Sequence, residues 1–334
     1  MSIQEFGPLP DGTMVHSVTI GSGDLRAEIL SWGACIRDLR LTGFDHPLVL
    51  GLNSGADYAQ HSPHFGVIAG RCANRINKAR FKLDGQTIQL QYSGESKTGQ
   101  PGPHQLHGGP KGYGKRVWII ADHGPDFVTL TLHSPAGDGG YPGTAEISCT
   151  YRISGATLTC DLQATTDAPT LMNLAQHSYF NLNGDSTINA HRLHIPAGQV
   201  VAVDAELIPT GDLTDLAGSD QDFRQPLPIA ETKIDHNYCL GRARFESPRL
   251  AARVETDAVC MEIHSTEPGV QFYTGDKIAV PVAGLEGRHY GPRAGLCLEP
   301  QIWPDAINNP SFPQAILRPG ETYHQISTFT FSPA

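Results

Sequence analysis

The sequence predicts an all-β protein built as a large two-sheet antiparallel β-sandwich. Three observations carry this. Apolar and polar residues alternate with a period of two in runs spread along the whole chain. Turn formers are abundant: 36 glycines and 25 prolines among 334 residues, roughly 18% against a usual 12%. No window of 11–18 residues carries a convincing 3.6-residue period, so no long amphipathic helix is expected.

In chain order, LRAEILSWGACIRDLRL (25–41) reads as strand-rich. ARFKLDGQTIQLQ (79–91) reads as a hairpin about Asp84-Gly85, a strong two-residue turn signal. RVWIIADH and FVTLTLHS follow as strands. AEISCTYRISGATLTCDLQATT (145–166) reads as a second hairpin, turning at Ser154-Gly155. Ile147, Cys149, Tyr151 and Ile153 share one face of its first arm, and Leu158, Cys160 and Leu162 one face of its second. VCMEIHS, VQFYTG and YHQISTFTFS complete the set. The segments 94–104 and 210–233 read as turn-rich or irregular loops able to overhang a binding face. Surface scaling leaves about 13,000 Å² exposed of about 52,000 Å² in the unfolded chain, ample for a core. With no linker-like composition shift and no repeat, one domain spanning residues 1–334 is expected.

Charge narrows the function classes. Lys and Arg number 24 against 34 Asp and Glu, a net charge of −10, and the pI is near 5.8. No run of five basic residues exists, so nucleic acid and anionic membrane are not expected partners. The first twelve residues have neither a basic n-region nor an apolar h-region, and no apolar stretch nears 18 residues. The seven cysteines form no C-x-x-C pair, and there is no N-x-S/T sequon with x other than proline. They read as buried free thiols, and the expected location is cytoplasmic.

The 15 histidines raise the question of a metal. HSPH (61–64), HQLH (104–107) and HRLH (191–194) space two histidines by three, which puts them on opposite faces of a strand. No metal site is expected. GxGxxG, P-loop and G-x-S-x-G motifs are absent, so no nucleotide cofactor or serine-hydrolase chemistry is expected either.

Two segments carry chemistry. In LMNLAQHSYFNL, strand parity groups Asn173, His177, Tyr179 and Asn181, with Leu174, Phe180 and Leu182 opposite. An amide, imidazole and phenol face without net charge suits a polyhydroxylated ligand; the alternative is a histidine that merely satisfies a polar strand. In GLCLEPQIWPDA, Leu296 and Leu298 share one parity, and Glu299, Gln301 and Trp303 the other. A glutamate between Leu298 and Pro300 is expected to be desolvated, its pKa raised, as suits a general base. Trp303 would stack on a sugar ring. The alternative is a structural Glu–Arg pair. Asn74-Arg75, His107, Asp235-His236-Asn237 and Gln271 punctuate turns and are weak signals singly.

Together with GRCANRI (70–76), LHGGPKGYGKRVW (106–118), GYPG (140–143), LIPTG (207–211), DHNYC (235–239), PGVQFYTG (268–275), LEPQIWPDAINNP (298–310) and LRPGETY (317–323), the HSYFNL segment (177–182) resembles the aldose 1-epimerase, or galactose mutarotase, family. The motifs stand in family order over nearly the whole chain. The resemblance implies the galactose mutarotase-like supersandwich. It implies an isomerase that interconverts the α and β anomers of a free aldohexose of galactose or glucose type, by ring opening, C1–C2 rotation and reclosure. It makes His177 the general acid and Glu299 the general base, and it places Asn74, Arg75, His107, Tyr179, Asp235 and Gln271 on the sugar hydroxyls. No cofactor is implied, and the partner is a monosaccharide bound by a monomer or homodimer. Gly114, Ala175-Gln176 and Ile234 depart from the usual family residues. His177 is expected to be protonated at neutral pH, with Glu299 or Asp235 offsetting burial. The rival readings are a glycoside hydrolase using Glu299 and Asp235, a non-catalytic sugar-binding protein, and a phosphosugar epimerase resting on Arg75.

Overall fold

A nine-stranded antiparallel sheet and a six-stranded one face each other across the main core. The computed structural model describes residues 2–94 and 103–334. In the larger sheet the order is Ile119–His123, Phe127–Ser134, Ala145–Ser154, Thr157–Thr166, Tyr323–Pro333, Val259–Ser265, Arg249–Glu255, Arg192–His194 and Leu227–Pro228. In the smaller it is Tyr179–Phe180, Leu296–Gln301, Gly269–Tyr273, Asp235–Cys239, Gln199–Val203 and Pro209–Asp215. A four-stranded sheet over residues 4–41 packs on the same core.

Alternation explains these layers. Ile147, Cys149, Tyr151 and Ile153, then Leu158, Cys160 and Leu162, all point into the core, as their parity requires. From the opposing sheet come Val200, Tyr238, Val270, Phe272, Leu296 and Leu298. Phe180 and Phe329 meet between the sheets with ring centroids 5.6 Å apart. All seven cysteines are free thiols, six buried and Cys239 half-buried. Among the described residues no helix is long and apolar enough to cross a membrane.

Three details differ from the sequence reading. The turn of the long hairpin is Gly155-Ala156, because Ser154 pairs with Thr157; the positive φ of 60° falls on Gly155, where the chain needs it. The Asp84-Gly85 turn is as expected, with both residues at positive φ. Residues 209–215, read as part of a loop, form an edge strand paired with Gln199–Val203; its polar edge face and Pro209-Thr210-Gly211 hide the alternation. Gly55–His61 is a two-turn helix capped by Ser54, whose Oγ accepts from Asp57 N at 3.1 Å. It is too short to register in a long window. Of the expected 94–104 loop, residues 95–102 lie outside the described residues.

Phe329 is fully buried on the strand that joins the two halves of the larger sheet. Phe329→Ala is expected to cost about 3–5 kcal/mol in urea unfolding. A loss below 1 kcal/mol would mean this contact between sheets contributes little.

Candidate active site

Register in the smaller sheet builds the floor of a site from residues far apart in sequence. Asp235 pairs with Tyr273, which pairs with Cys297, which pairs with Tyr179. The next row on the same face is Asn237, Gln271 and Glu299, and the third is Cys239, Gly269 and Gln301. The opposite face of these strands carries Tyr238, Val270, Phe272, Leu296 and Leu298 into the core. A period of two thus makes one surface polar and the other apolar.

Three walls stand on this floor. His177 leads into Tyr179–Phe180 and is held by its backbone, its N–H donating to Val67 O at 2.9 Å and its C=O accepting from Gly66 N at 3.0 Å. Asn74 and His107 lock together: His107 N donates to Asn74 O at 3.0 Å, and Asn74 N donates to His107 Nδ1 at 3.1 Å. His64 closes the third side, its ring 4.8 Å from that of His107 and 5.6 Å from that of His177. His64, Asn74 and His107 have φ of 72°, 62° and 51°, a conformation found in turns and strained sites. Their surroundings hold them there.

The cavity measures about 200 Å³ and is lined by all eight residues expected from the sequence: Asn74, Arg75, His107, His177, Tyr179, Asp235, Gln271 and Glu299. That is below the 300–1,000 Å³ or so of drug-sized pockets and suits one sugar ring. Sequence reasoning missed His64, Tyr273 and Lys277, which also line it. Tyr273 shares parity with Gln271 in VQFYTG and was legible; His64 entered only as half of an H-x-x-H pair. No local signal marks Lys277.

Other expectations are corrected. Asn173 and Asn181 do not face the cavity. Asn173 clamps Ile302 through both its amide atoms, and Asn181 Nδ2 donates to Asp185 O and Ala294 O at 2.8 Å. The strand that parity assumed breaks into two-residue pieces, so side chains do not alternate across it. Trp303 stacks on no ligand site; it is buried against Phe312, its indole N–H donating to Pro268 O at 3.0 Å. The chain turns after Gln301, carrying Trp303 into a satellite core. Gln176, one of the departures, ties Gly66 O to Ser178 Oγ and so braces His177.

Electrostatics also differ from the expectation. His177 Nε2 lies 3.5 Å from Glu299 Oε1, and both side chains are almost wholly buried. Burial pulls His177 down to about 4. Burial, then the Asp235 carboxylate, pushes Glu299 well up, with Arg75 opposing. The expected imidazolium is therefore a neutral imidazole at pH 7, beside a carboxyl whose pKa is raised. Desolvation sets the imidazole, and the same desolvation disfavours the charged form of the carboxyl. His107 is pushed well down by burial and then by His64 and His177, and His64 falls to about 3 through burial. Among the described residues, His177, Cys297 and Glu299 are the group whose donor atoms, within 4.8 Å of one another, could converge on an ion. Burial keeps the Cys297 thiol protonated, so an ion there would have to displace protons.

A depressed imidazole pKa means the unfolded chain binds more protons below about 6.5. His177 therefore adds stability that is present above that pH and lost as pH falls towards about 4. The raised Glu299 acts with the opposite sign. In an NMR titration the His177 ring is expected to keep neutral-imidazole shifts down to about pH 5 and to move near 4. A midpoint at or above 6.5 would overturn the neutral assignment.

The chain is similar to known proteins over nearly its whole length. The aldose 1-epimerase family profile matches residues 16–330. The galactose mutarotase of Homo sapiens is 38% identical over 98% of both chains. The aldose 1-epimerase of Escherichia coli K12 is 32% identical over 96% of both. The crystal structure of an aldose epimerase homologue from C. elegans superposes with a TM-score of 0.87 at 29% identity, covering 95% of this chain and 99% of that one. The chain belongs to the aldose 1-epimerase family and is an isomerase.

Proposed function

We propose that the cavity binds one free aldohexose of galactose or glucose type and interconverts its α and β anomers, with Glu299 as general base and His177 as general acid. The observation that carries this is the buried His177–Glu299 contact at 3.5 Å, opening onto a cavity of monosaccharide size.

The reaction needs the O1 proton removed and the ring oxygen protonated. A pair that holds one proton in all matches that requirement. In the tautomer with Glu299 ionised and His177 protonated, Glu299 takes the O1 proton as His177 gives one to O5, and the C1–O5 bond breaks. The products are an open aldehyde, a protonated Glu299 and a neutral His177, the arrangement that burial of both groups favours. Rotation about C1–C2 turns the other carbonyl face to O5. Glu299 then returns its proton to O1 while His177 recovers one from O5. Asp235, fixed by Gln271 Nε2 at 2.8 Å, and Asn74, Arg75, His107 and Tyr179 are assigned to the remaining hydroxyls. The free, mostly buried thiols support a reducing compartment, and we assign the enzyme to the cytoplasm.

The test is relaxation of optical rotation from freshly dissolved α-D-galactose and α-D-glucose. Glu299→Gln and His177→Asn are each expected to lower kcat about 10²–10⁴-fold. Activity should form a plateau in pH: it falls at low pH as His177 takes a second proton near 4, and at high pH as Glu299 loses the last one. Full activity in Glu299→Gln, or sugar binding without anomerisation in the unaltered protein, would overturn the assignment.

A further inference from the structure

Below the cavity, the floor holds polar atoms that the proposed reaction does not use. Glu299 Oε2, Gln271 Oε1, both amide atoms of Asn237 and both of Gln301 are buried with no partner among the described residues. They are contiguous. Asn237, Gln271 and Glu299 stand directly opposite one another on three adjacent strands, and Gln301 is two residues beyond Glu299 on the same face. Side chains so paired have Cβ atoms about 4.5–5.5 Å apart.

Gly269 lies between Cys239 and Gln301 in the third row. A Cβ there would sit 2.5 Å from Asn237 Oδ1 and 2.8 Å from Trp303 Cδ1. The Asn237 amide and the Trp303 ring therefore pack directly against the bare Cα of the glycine, an approach that a side chain there would forbid. Asn237 and Gln301 are 2% and 0% exposed, so sugar does not reach this layer.

We infer that Asn237 and Gln301 form a buried water site beneath Glu299, which holds the second carboxyl oxygen of the base. The ligand chemistry follows from the groups. Two amides offer donors and acceptors, and the carboxyl and Gln271 offer acceptors, so a neutral molecule able both to donate and to accept fits them, one water meeting up to four of the six atoms. A buried water needs two to four such partners. Asn237 and Gln301 are thereby positioning residues, acting on Glu299 through the water. His177, Tyr179, Cys297, Asp235 and Arg75 also face Glu299, and none of them partners Oε2.

This rests on Glu299 being the base, and it has a distinct signature. A donor on Oε2 favours the ionised carboxyl that starts the reaction. Its loss lowers the share of that tautomer and also makes the last proton harder to remove. Gln301→Met, which keeps the length but not the amide, is expected to lower the kcat/KM plateau about tenfold and to move the alkaline limb up by about one pH unit. Gly269→Ala, whose Cβ would meet the Asn237 amide and push it aside, should do the same. A Gln301 that only fills space would give a Met variant with unchanged pH limbs and equal or greater stability, which overturns the proposal. A crystal structure of the unaltered protein decides it without any variant: water within about 3.2 Å of Glu299 Oε2 and of an amide of Asn237 or Gln301 supports it, and a dry layer overturns it. Full activity in Glu299→Gln would instead refute the base assignment while leaving the water site to be judged on density.

Discussion

Antiparallel pairing of Gly269–Tyr273 with both Asp235–Cys239 and Leu296–Gln301 is the constraint on which the site depends. Because side chains alternate, fixing Gln271 opposite Glu299 also fixes Phe272 opposite Leu298 on the core side. A slip by one residue would bury Glu299 among the core residues and turn Phe272 and Leu298 to the cavity. The apolar core thus enforces the alignment of the polar floor.

Around that floor the walls come from segments with little regular structure. They are held by backbone hydrogen bonds and by buried polar side chains. Arg71, beside the Asn74-Arg75 pair, is the largest such group. It donates to Pro142 O and Gly143 O at 2.9 Å, to Ser134 and Thr170 hydroxyls, and to the Tyr113 phenol at 3.0 Å. This gives GRCANRI and GYPG a shared physical reason: the arginine of one ties down carbonyls of the other. Rigidity matters because the proposed chemistry needs an acid and a base within one sugar ring's reach.

Burial sets the electrostatics of the site. In water, His177 and Glu299 would exchange a proton into an ion pair; desolvated together, they favour the neutral arrangement. The balance between the two tautomers is then open to whatever polar groups reach the carboxyl, whether sugar hydroxyls from above or the Asn237–Gln301 layer from below.

Much of this was legible in the sequence. Alternation in 145–166 set which residues of that hairpin enter the core, since a half-buried strand must alternate. The apolar flanks Leu298 and Pro300 marked Glu299 as desolvated, and the ordered motifs named eight residues that share one cavity. Other features depended on distant contacts. Asn173, Asn181 and Trp303 left the site because short, broken strands and a chain turn redirected them. His64 and Lys277 joined it because loops fold back over the floor. The charge on His177 was decided by how fully the surrounding chain excludes water. The sequence alone determined the periodicity and the chemical groups, which are local properties of each segment. Only the tertiary structure decided register, enclosure and protonation, because these depend on what packs around each group.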